Sequence, residues 1–395
     1  MMIPLTYILL MTVMLLSLYH CGLQMQRRKK LFTGATILTL ALFTVIEGLR
    51  YGRNIDYNLY GRQYEEFFET GKTYQDFGFY IIEKLLIEMG LSWHFCVMLC
   101  AFLFILSLVF LFRNYRSLAP IALPLYVLIS LSATENMIRW YTAFSFFLFG
   151  LSYQIENFGI KKVHPYYIVY SIIACSIHYA FIPVPFVFLL LSIPNKPLCH
   201  PAFSIMIYIF LTFLSGSNFM LQFSKYALLL STLSEKYQQY GDDAAFWLTQ
   251  GYGGREVSSF PGILTIFLLV GYVILGYYIS IRSEKKIVYI YNLFLIGFFL
   301  KPLALRIELI ERYCEVFYFF QALVLASVIR LKTHTTSQIL LYRNIICLVL
   351  FLTLFKTYVY IPLNSNPKKY LYVWNKGNET YDSMIGMWEK EAEKE

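Results

Sequence analysis

The sequence predicts an all-α protein, a polytopic transmembrane helical bundle that crosses the bilayer about 12 times. Of the 395 residues, 58% are hydrophobic and 14% are charged, whereas soluble proteins carry about 25% charged residues. Apolar runs near the roughly 20 residues that a helix needs to cross hydrocarbon recur along the chain. Short polar loops separate these runs, so each is read as one crossing.

The first apolar run lacks the basic leader of a signal peptide, so we read it as the first membrane span. Pro183 and Pro185 interrupt the run 166–193 just after His178, so this run is read as two short segments that meet near the outer face. The predicted spans lie near residues 3–22, 31–48, 92–112, 118–134, 140–157, 166–193, 202–221, 261–281, 287–304, 313–331 and 339–361. Residues 1–363 thus form one integral membrane domain, with outer loops at 48–90 and 222–260, and residues 364–395 form a polar C-terminal tail.

Basic clusters set the predicted orientation, because cytoplasmic loops carry an excess of lysine and arginine. An even number of spans separates the clusters, so all of them lie on the cytoplasmic side and both termini lie outside. The net charge of +9 therefore reflects membrane orientation rather than nucleic-acid binding. The clusters are Arg27 to Lys30, Arg113 with Arg116, Lys161 with Lys162, and Arg282 with Lys285 and Lys286.

Several arginines fall on the predicted outer side, where the charge bias predicts few. An arginine side chain grips phosphate or carboxylate with two parallel donors and stays charged, so this set favours a lipid-linked phosphate as ligand. Each arginine could instead pair with a neighbouring acid, as Glu135 with Arg139 or Glu308 with Arg312 could at i,i+4 spacing. The set is Arg50, Arg53, Arg62, Arg139, Arg255, Arg306 and Arg312.

Short motifs in the first half of the chain resemble the EpsG family of polytopic membrane proteins, of the Wzy-like exopolysaccharide and O-antigen polymerase kind. They are the turn RYGRNIDY from Arg50 to Tyr57, Arg139 at the start of a span, and an alanine-containing helix that ends in His178. The family turn resembles RYGxGxDY, and here Asn54 stands at its second glycine. Trp140 follows Arg139 where the family often has glutamine.

The resemblance implies a fold like that of GT-C-like polysaccharide polymerases, in the bacterial inner (cytoplasmic) membrane. It implies a metal-independent glycosyltransferase that joins undecaprenyl-diphosphate-linked repeat units during capsule, exopolysaccharide or O-antigen synthesis. Its substrates would be lipid-linked oligosaccharides, surrounded by membrane lipids, and its partners would be a chain-length regulator and a flippase of the same pathway. No cofactor and no nucleic acid are expected. An exporter of lipid-linked oligosaccharide, or a membrane acyltransferase that modifies the glycan, stays open as an alternative.

Glycosyl transfer needs positive charge where the diphosphate leaves and a base for the acceptor hydroxyl. His178 and Asp56 are the candidate catalytic residues. Asp56 could equally order the arginine turn through a salt bridge, and His178 could be a buried histidine bonded to a backbone carbonyl that Pro183 frees. The candidate diphosphate- and glycan-binding residues are Arg50, Arg53, Tyr57, Arg139, Arg255, Arg306 and Arg312.

The segment GYGGR at Gly251 to Arg255 predicts a mobile lid or a backbone contact with substrate. Its loop, Gln222 to Phe260, mixes aromatic and charged residues, which suits either a sugar-binding surface or a helix in the headgroup layer. The seven cysteines show no metal-ligand spacing, so no metal site is predicted.

Overall fold

The computed structural model describes residues 2–28, 30–72, 75–157, 163–215, 263–304, 308–330 and 337–392, apart from the side chains of 263–264, 308–309 and 392. Within these ranges every extended regular element is helical, and β-pairing is limited to one antiparallel bridge between Arg50 and Tyr372. The predicted all-α class is therefore confirmed.

Seventeen α-helices follow one another in the described ranges. They are α1 Met2–Arg27, α2 Gly34–Gly48, α3 Ile55–Thr70, α4 Phe77–Glu88, α5 Trp93–Phe112, α6 Ala119–Asn136, α7 Ile138–Glu156, α8 Pro165–Ile177, α9 Pro183–Leu191, α10 Pro201–Ser215, α11 Ile263–Ser280, α12 Lys285–Ala304, α13 Glu308–Tyr318, α14 Gln321–Ile329, α15 Ser337–Phe355, α16 Ile361–Asn364 and α17 Tyr381–Ala392.

The chain is a membrane protein, because several of its helices are long and apolar enough to cross a membrane. In the described part of the chain there are five, at Met2–Arg27, Trp93–Phe112, Lys285–Ala304, Ile310–Ile329 and Ser337–Asn364. Shorter apolar helices accompany them at Gly34–Gly48, Pro165–Ile177, Tyr179–Leu191, Pro201–Ser215 and Thr265–Ser280. The number of crossings stays a prediction.

The stretch 166–193 divides as predicted. Helix α8 ends at Ile177, the 3₁₀ turn Tyr179–Phe181 follows, and α9 begins at Pro183. Proline suits the first position of a helix, where its missing N–H has no intrahelical acceptor. The break leaves His178 between the two helices.

The chain forms two compact units, and the first comprises Met1–Ser192 with Leu350–Trp388. In this unit α1 packs against α2 and α6, α2 against α5, α5 against α7, and α7 and α4 against α8. Small residues permit close helix packing. At Gly22 a Cβ atom would lie 2.5 Å from the Cα of Pro120, so α1 and α6 could not approach as closely with a larger residue there.

The second unit comprises Ile193–Val349 and Glu389–Glu395. Helix α12 packs against α10, α11, α13 and α14. Gly297 on α12 faces α13 closely, since a Cβ there would lie 2.4 Å from the backbone nitrogen of Tyr318. The same two helices share an ion pair of 3.2 Å between Lys301 Nζ and Glu315 Oε1, so two half-buried charges among apolar helices neutralise each other.

The C-terminal tail, predicted as a polar outer extension, packs into the first unit. Two 3₁₀ turns, Pro367–Tyr370 and Val373–Asn375, lead into α17. The ring of Tyr370 lies 4.8 Å from that of Tyr7 on α1, and Tyr372 and Met384 are fully buried. The tail therefore belongs to the core of this unit, beside the turn that follows α2.

Candidate functional site

The turn between α2 and α3 requires left-handed backbone at two positions. Gly52 has φ 68° and Asn54 has φ 66°. A Cβ at Gly52 would also lie 2.5 Å from the Cε of Met384. With ψ 162°, Asn54 lies outside the small left-handed helical region that asparagine tolerates, in a region that glycine adopts almost alone. The backbone at Asn54 is therefore strained, and this conformation explains why the RYGxGxDY pattern has glycine at the same position.

Both arginines of the turn are buried and paired with carboxylates. Arg50 is 4% and Arg53 is 2% exposed. Arg53 Nη1 lies 2.6 Å from Oε1 of Glu135 and 3.9 Å from Oε1 of Glu47, and Arg50 Nη1 lies 3.4 Å from Oε2 of Glu47. Glu135 thus pairs with Arg53, a long-range partner that i,i+4 spacing does not reveal. Two carboxylates balance two guanidinium groups in this cluster.

The tail covers the turn. The guanidinium of Arg53 lies between the rings of Tyr7 and Tyr372, at 4.9 and 4.6 Å from their centroids. The indole Nε1 of Trp388 donates a hydrogen bond of 2.7 Å to the carbonyl of Gly52. Because tail residues stack on and bond to the turn, its arginines are enclosed by protein.

Tyr57 and Asp56 lie at the start of α3, next to the turn. Tyr57 is fully buried, and its hydroxyl donates to the carbonyl of Arg50 at 2.8 Å. Because a tyrosine hydroxyl has one proton to donate, the Tyr57 oxygen acts as the acceptor toward Nδ1 of His94, which lies 3.3 Å away. Asp56 lies in the first turn of α3, where the helix dipole favours a carboxylate, and its backbone N–H donates to Oδ1 of Asn136 at 3.3 Å.

Arg139 forms a different site at the start of α7. Its Nη1 donates to Oε1 of Gln75 at 2.6 Å, and its Nη2 donates to the hydroxyl of Tyr60 at 3.0 Å. The guanidinium carbon lies 4.7 Å from the centroid of the Tyr60 ring. Arg139 therefore links α3 and the loop before α4 to α7 through neutral acceptors.

Glu83 on α4 is a buried acid near this arginine. Burial raises the pKa of its carboxyl to about 8, and the positive charge of Arg139 offsets this only in part. At neutral pH the carboxyl is consequently mostly protonated and uncharged. It contrasts with Glu135, which lies at ion-pair distance from Arg53.

His178 lies at the same end of α7. It is buried, and its backbone N–H donates to the carbonyl of Ala174 at 3.1 Å. Its ring meets that of Trp140 edge-on at 5.0 Å. Trp140 directly follows Arg139 on α7, so His178 packs against the residue next to the predicted arginine. We call Tyr60, Gln75, Glu83, Arg139, Trp140 and His178 the Arg139 site.

The remaining predicted arginines lie elsewhere. Arg312 is half-buried on α13 in the second unit. Arg255 and Arg306, with the GYGGR segment and the whole of the loop 222–260, lie outside the described residues. In the described part of the chain, no group of three or more histidine, cysteine, aspartate or glutamate side chains could hold a metal ion.

Sequence reasoning missed Glu47, Tyr60, Gln75 and Glu83 as members of these clusters. Glu47 carried a usable signal, because an acid within an apolar span is costly and marks a specific partner. Tyr60, Gln75 and Glu83 carried none, since they resemble the other polar and aromatic residues of their loop.

The part of the chain that matches a protein-family model includes both arginine clusters. The model of the EpsG family matches residues 32–373. No curated protein and no solved structure matches the chain. Because the match spans most of the chain, from before α2 into the tail, the chain belongs to the EpsG family.

Proposed function

We propose that this membrane protein of polysaccharide biosynthesis is a polysaccharide polymerase. It joins undecaprenyl-diphosphate-linked repeat units on the outer face of the bacterial inner membrane, as a metal-independent glycosyltransferase. The observation that carries the proposal is the Arg139 site: Gln75 and Tyr60 orient a buried guanidinium, and the ring of the next residue, Trp140, packs against buried His178. An arginine fork and a nearby base are the groups that a transfer from a lipid diphosphate needs.

In the proposed reaction a hydroxyl of the acceptor repeat unit attacks the anomeric carbon of the donor glycan. The new glycosidic bond forms as the bond from that carbon to the diphosphate oxygen breaks, and the electron pair leaves with the diphosphate. Arg139 stabilises the developing negative charge. His178 takes the hydroxyl proton, and Asp56 is the other candidate for this step.

The two buried arginines of the turn have a different role in this proposal. Arg50 and Arg53 are neutralised by Glu47 and Glu135, so they hold the turn that starts α3 rather than meet the diphosphate first. Tyr57 fixes the same turn through the Arg50 carbonyl. Arg255, Arg306 and Arg312 are proposed as further contacts to the diphosphate or the glycan, and a chain-length regulator and a flippase are the proposed partners.

The experiment measures the length of lipid-linked glycan in cells that lack the protein and in cells complemented with variants. Wild type is compared with Arg139→Ala and His178→Ala. The matched control is Arg62→Ala, because the Arg62 side chain is 55% exposed and forms an ion pair with exposed Asp382 at 3.3 Å. The amount of each protein in the membrane is measured in parallel.

We expect deletion to leave single repeat units on the outer leaflet, and we expect both site variants to do the same at wild-type protein levels. The control should restore long chains. Repeat units that accumulate on the inner leaflet would instead identify an exporter. Chains of normal length with altered decoration would identify an acyltransferase.

A further inference from the structure

A cleft opens in the first unit, and its lining does not include Arg139 or the two residues that accept hydrogen bonds from it. It has a volume of about 520 Å³, within the range of about 300–1,000 Å³ that ligand sites occupy. Its walls come from α3, from the turn between α4 and α5, from the first residues of α5, and from the tail just before α17. The cleft therefore exists only because the tail folds back onto this unit.

Aromatic rings form one wall of the cleft. The rings of Tyr64 and Trp93 lie 5.7 Å apart, and those of Tyr51 and Tyr381 stack at 5.5 Å. Phe68 also lines the cleft and is 58% exposed. The other four aromatic residues are at most 8% exposed, so Phe68 offers the exposed ring, which suits the apolar C–H face of a sugar.

Polar side chains form the rim. Glu65 and Glu69 line the cleft from α3, and both can accept hydrogen bonds from sugar hydroxyls. Lys376 is the lining cation, and its Nζ lies 4.5 Å from the centroid of the Tyr51 ring. Glu379 lines the cleft too, but it pairs with Lys368 at 2.5 Å. Because carboxylates outnumber the lysine, the lining disfavours an acidic ligand.

Helix α3 connects the cleft to the Arg139 site. Tyr60 bonds to Arg139, and Tyr64 and Phe68, at the next two i+4 positions, line the cleft. Residues at this spacing share one helix face, and four residues advance about 6 Å along the axis. Tyr60 and Tyr64 are 9% and 2% exposed, so exposed Phe68, about 12 Å along the α3 axis from Tyr60, is the point on this face where a sugar chain can bind.

We propose that this cleft binds an uncharged oligosaccharide segment of the glycan on which the protein acts. The exposed ring of Phe68 takes the face of one sugar, and the glutamates of the rim accept hydrogen bonds from its hydroxyls and from those of the neighbouring sugars. The proposal rests on the proposed function, since it names the part of the same substrate that lies beyond the diphosphate. It gives the folded tail a role in holding the chain.

The test measures binding directly, on the purified full-length protein in nanodiscs by calorimetry. The probes are oligosaccharides of one to four repeat units, released from the polysaccharide that the complemented cells make, and tetragalacturonate as an acidic comparator. The cleft variants are Phe68→Ala and Glu69→Gln. Their matched controls on α4 are Phe77→Ala, 60% exposed, and Glu88→Gln, 59% exposed at its side chain, and neither residue lines the cleft.

We expect the released oligosaccharides to bind wild type and the controls equally, and each cleft variant to bind about 10-fold more weakly. Tetragalacturonate should not compete. Equal affinity of the cleft variants and wild type, absence of binding to wild type, or equal binding of tetragalacturonate would overturn the proposal.

Chain length in cells separates this outcome from the proposed function. If deletion leaves single repeat units and the purified protein still fails to bind oligosaccharide, the cleft assignment is wrong and polymerisation stands. If the cleft variants bind weakly and deletion leaves chain length unchanged, the cleft binds glycan and the polymerase proposal is wrong.

Discussion

The two arginine clusters of the first unit differ in the hydrogen bonds and ion pairs that hold their guanidinium groups. In the turn after α2, Arg50 and Arg53 lie against the carboxylates of Glu47 and Glu135. At the start of α7, Arg139 donates to the neutral oxygens of Gln75 and Tyr60. Both clusters are buried, so burial alone does not distinguish them.

This difference teaches that buried arginines in one chain can serve stability or chemistry according to their partners. A guanidinium matched by carboxylates has its charge neutralised inside the protein, and removal of one partner leaves an uncompensated buried charge. The amide oxygen of Gln75 and the hydroxyl of Tyr60 fix the orientation of the Arg139 guanidinium, and an oriented guanidinium is the kind of group that a leaving diphosphate needs. Three substitutions sharpen the contrast.

Glu135→Ala should have the largest effect on stability, because it leaves Arg53 buried with Glu47 at 3.9 Å as its nearest carboxylate among the described ion pairs. We expect a loss of about 3–5 kcal/mol, measured by unfolding of the purified protein in detergent. The control, Glu88→Ala, removes an exposed pair with Lys84 and should cost less than about 1 kcal/mol. Equal effects of the two substitutions would break the comparison.

Glu83→Gln should change how stability depends on pH. The carboxyl pKa is raised from 4.5 to about 8 in the folded protein, so the unfolded chain ionises first as pH rises and the folded state loses stability above about pH 4.5. Glutamine cannot ionise, so the stability of the variant does not fall with rising pH for this reason.

Unfolding at pH 5 and pH 7 measures the Glu83 effect. Between these values wild type should lose up to about 3 kcal/mol relative to the variant, and the difference should stop growing above the folded pKa. Parallel pH profiles for the two proteins would mean that Glu83 is ionised beside Arg139, and the two clusters would then be alike.

Trp388→Phe should have the smallest effect. It removes the hydrogen bond to the Gly52 carbonyl and keeps a ring against the turn, so we expect a loss of about 1 kcal/mol and glycan of normal length. Trp374→Phe is the control, since the exposed Trp374 ring stacks on Tyr372 at 4.6 Å and phenylalanine can do the same. Shortened glycan in the Trp388 variant alone would mean that the tail acts in the reaction.

The sequence predicted the parts of this arrangement that depend on local pattern. Apolar run length identified the membrane helices, and Pro183 located the break after His178. The arginine turn was located as well, and its positive φ angles explain the glycine at Gly52 and the glycine that the family pattern has at position 54.

The rest could not be predicted, because it depends on contacts between distant segments. Glu135 meets Arg53 across 82 positions, and Trp388 meets Gly52 across 336. Charge bias and hydropathy record which residues lie near a membrane edge, but not which of them meet. The tail was therefore read as an extension, although its buried tyrosine and methionine complete the core.

The most direct test compares Arg139→Ala with Arg53→Ala in the same cells, with glycan length and membrane protein level measured together. The account predicts that Arg139→Ala accumulates to the wild-type level and loses polymerisation about 100-fold. It predicts that Arg53→Ala accumulates poorly, while the protein that remains still makes long chains. Long chains made by Arg139→Ala, or a fully accumulated and inactive Arg53→Ala, would contradict it.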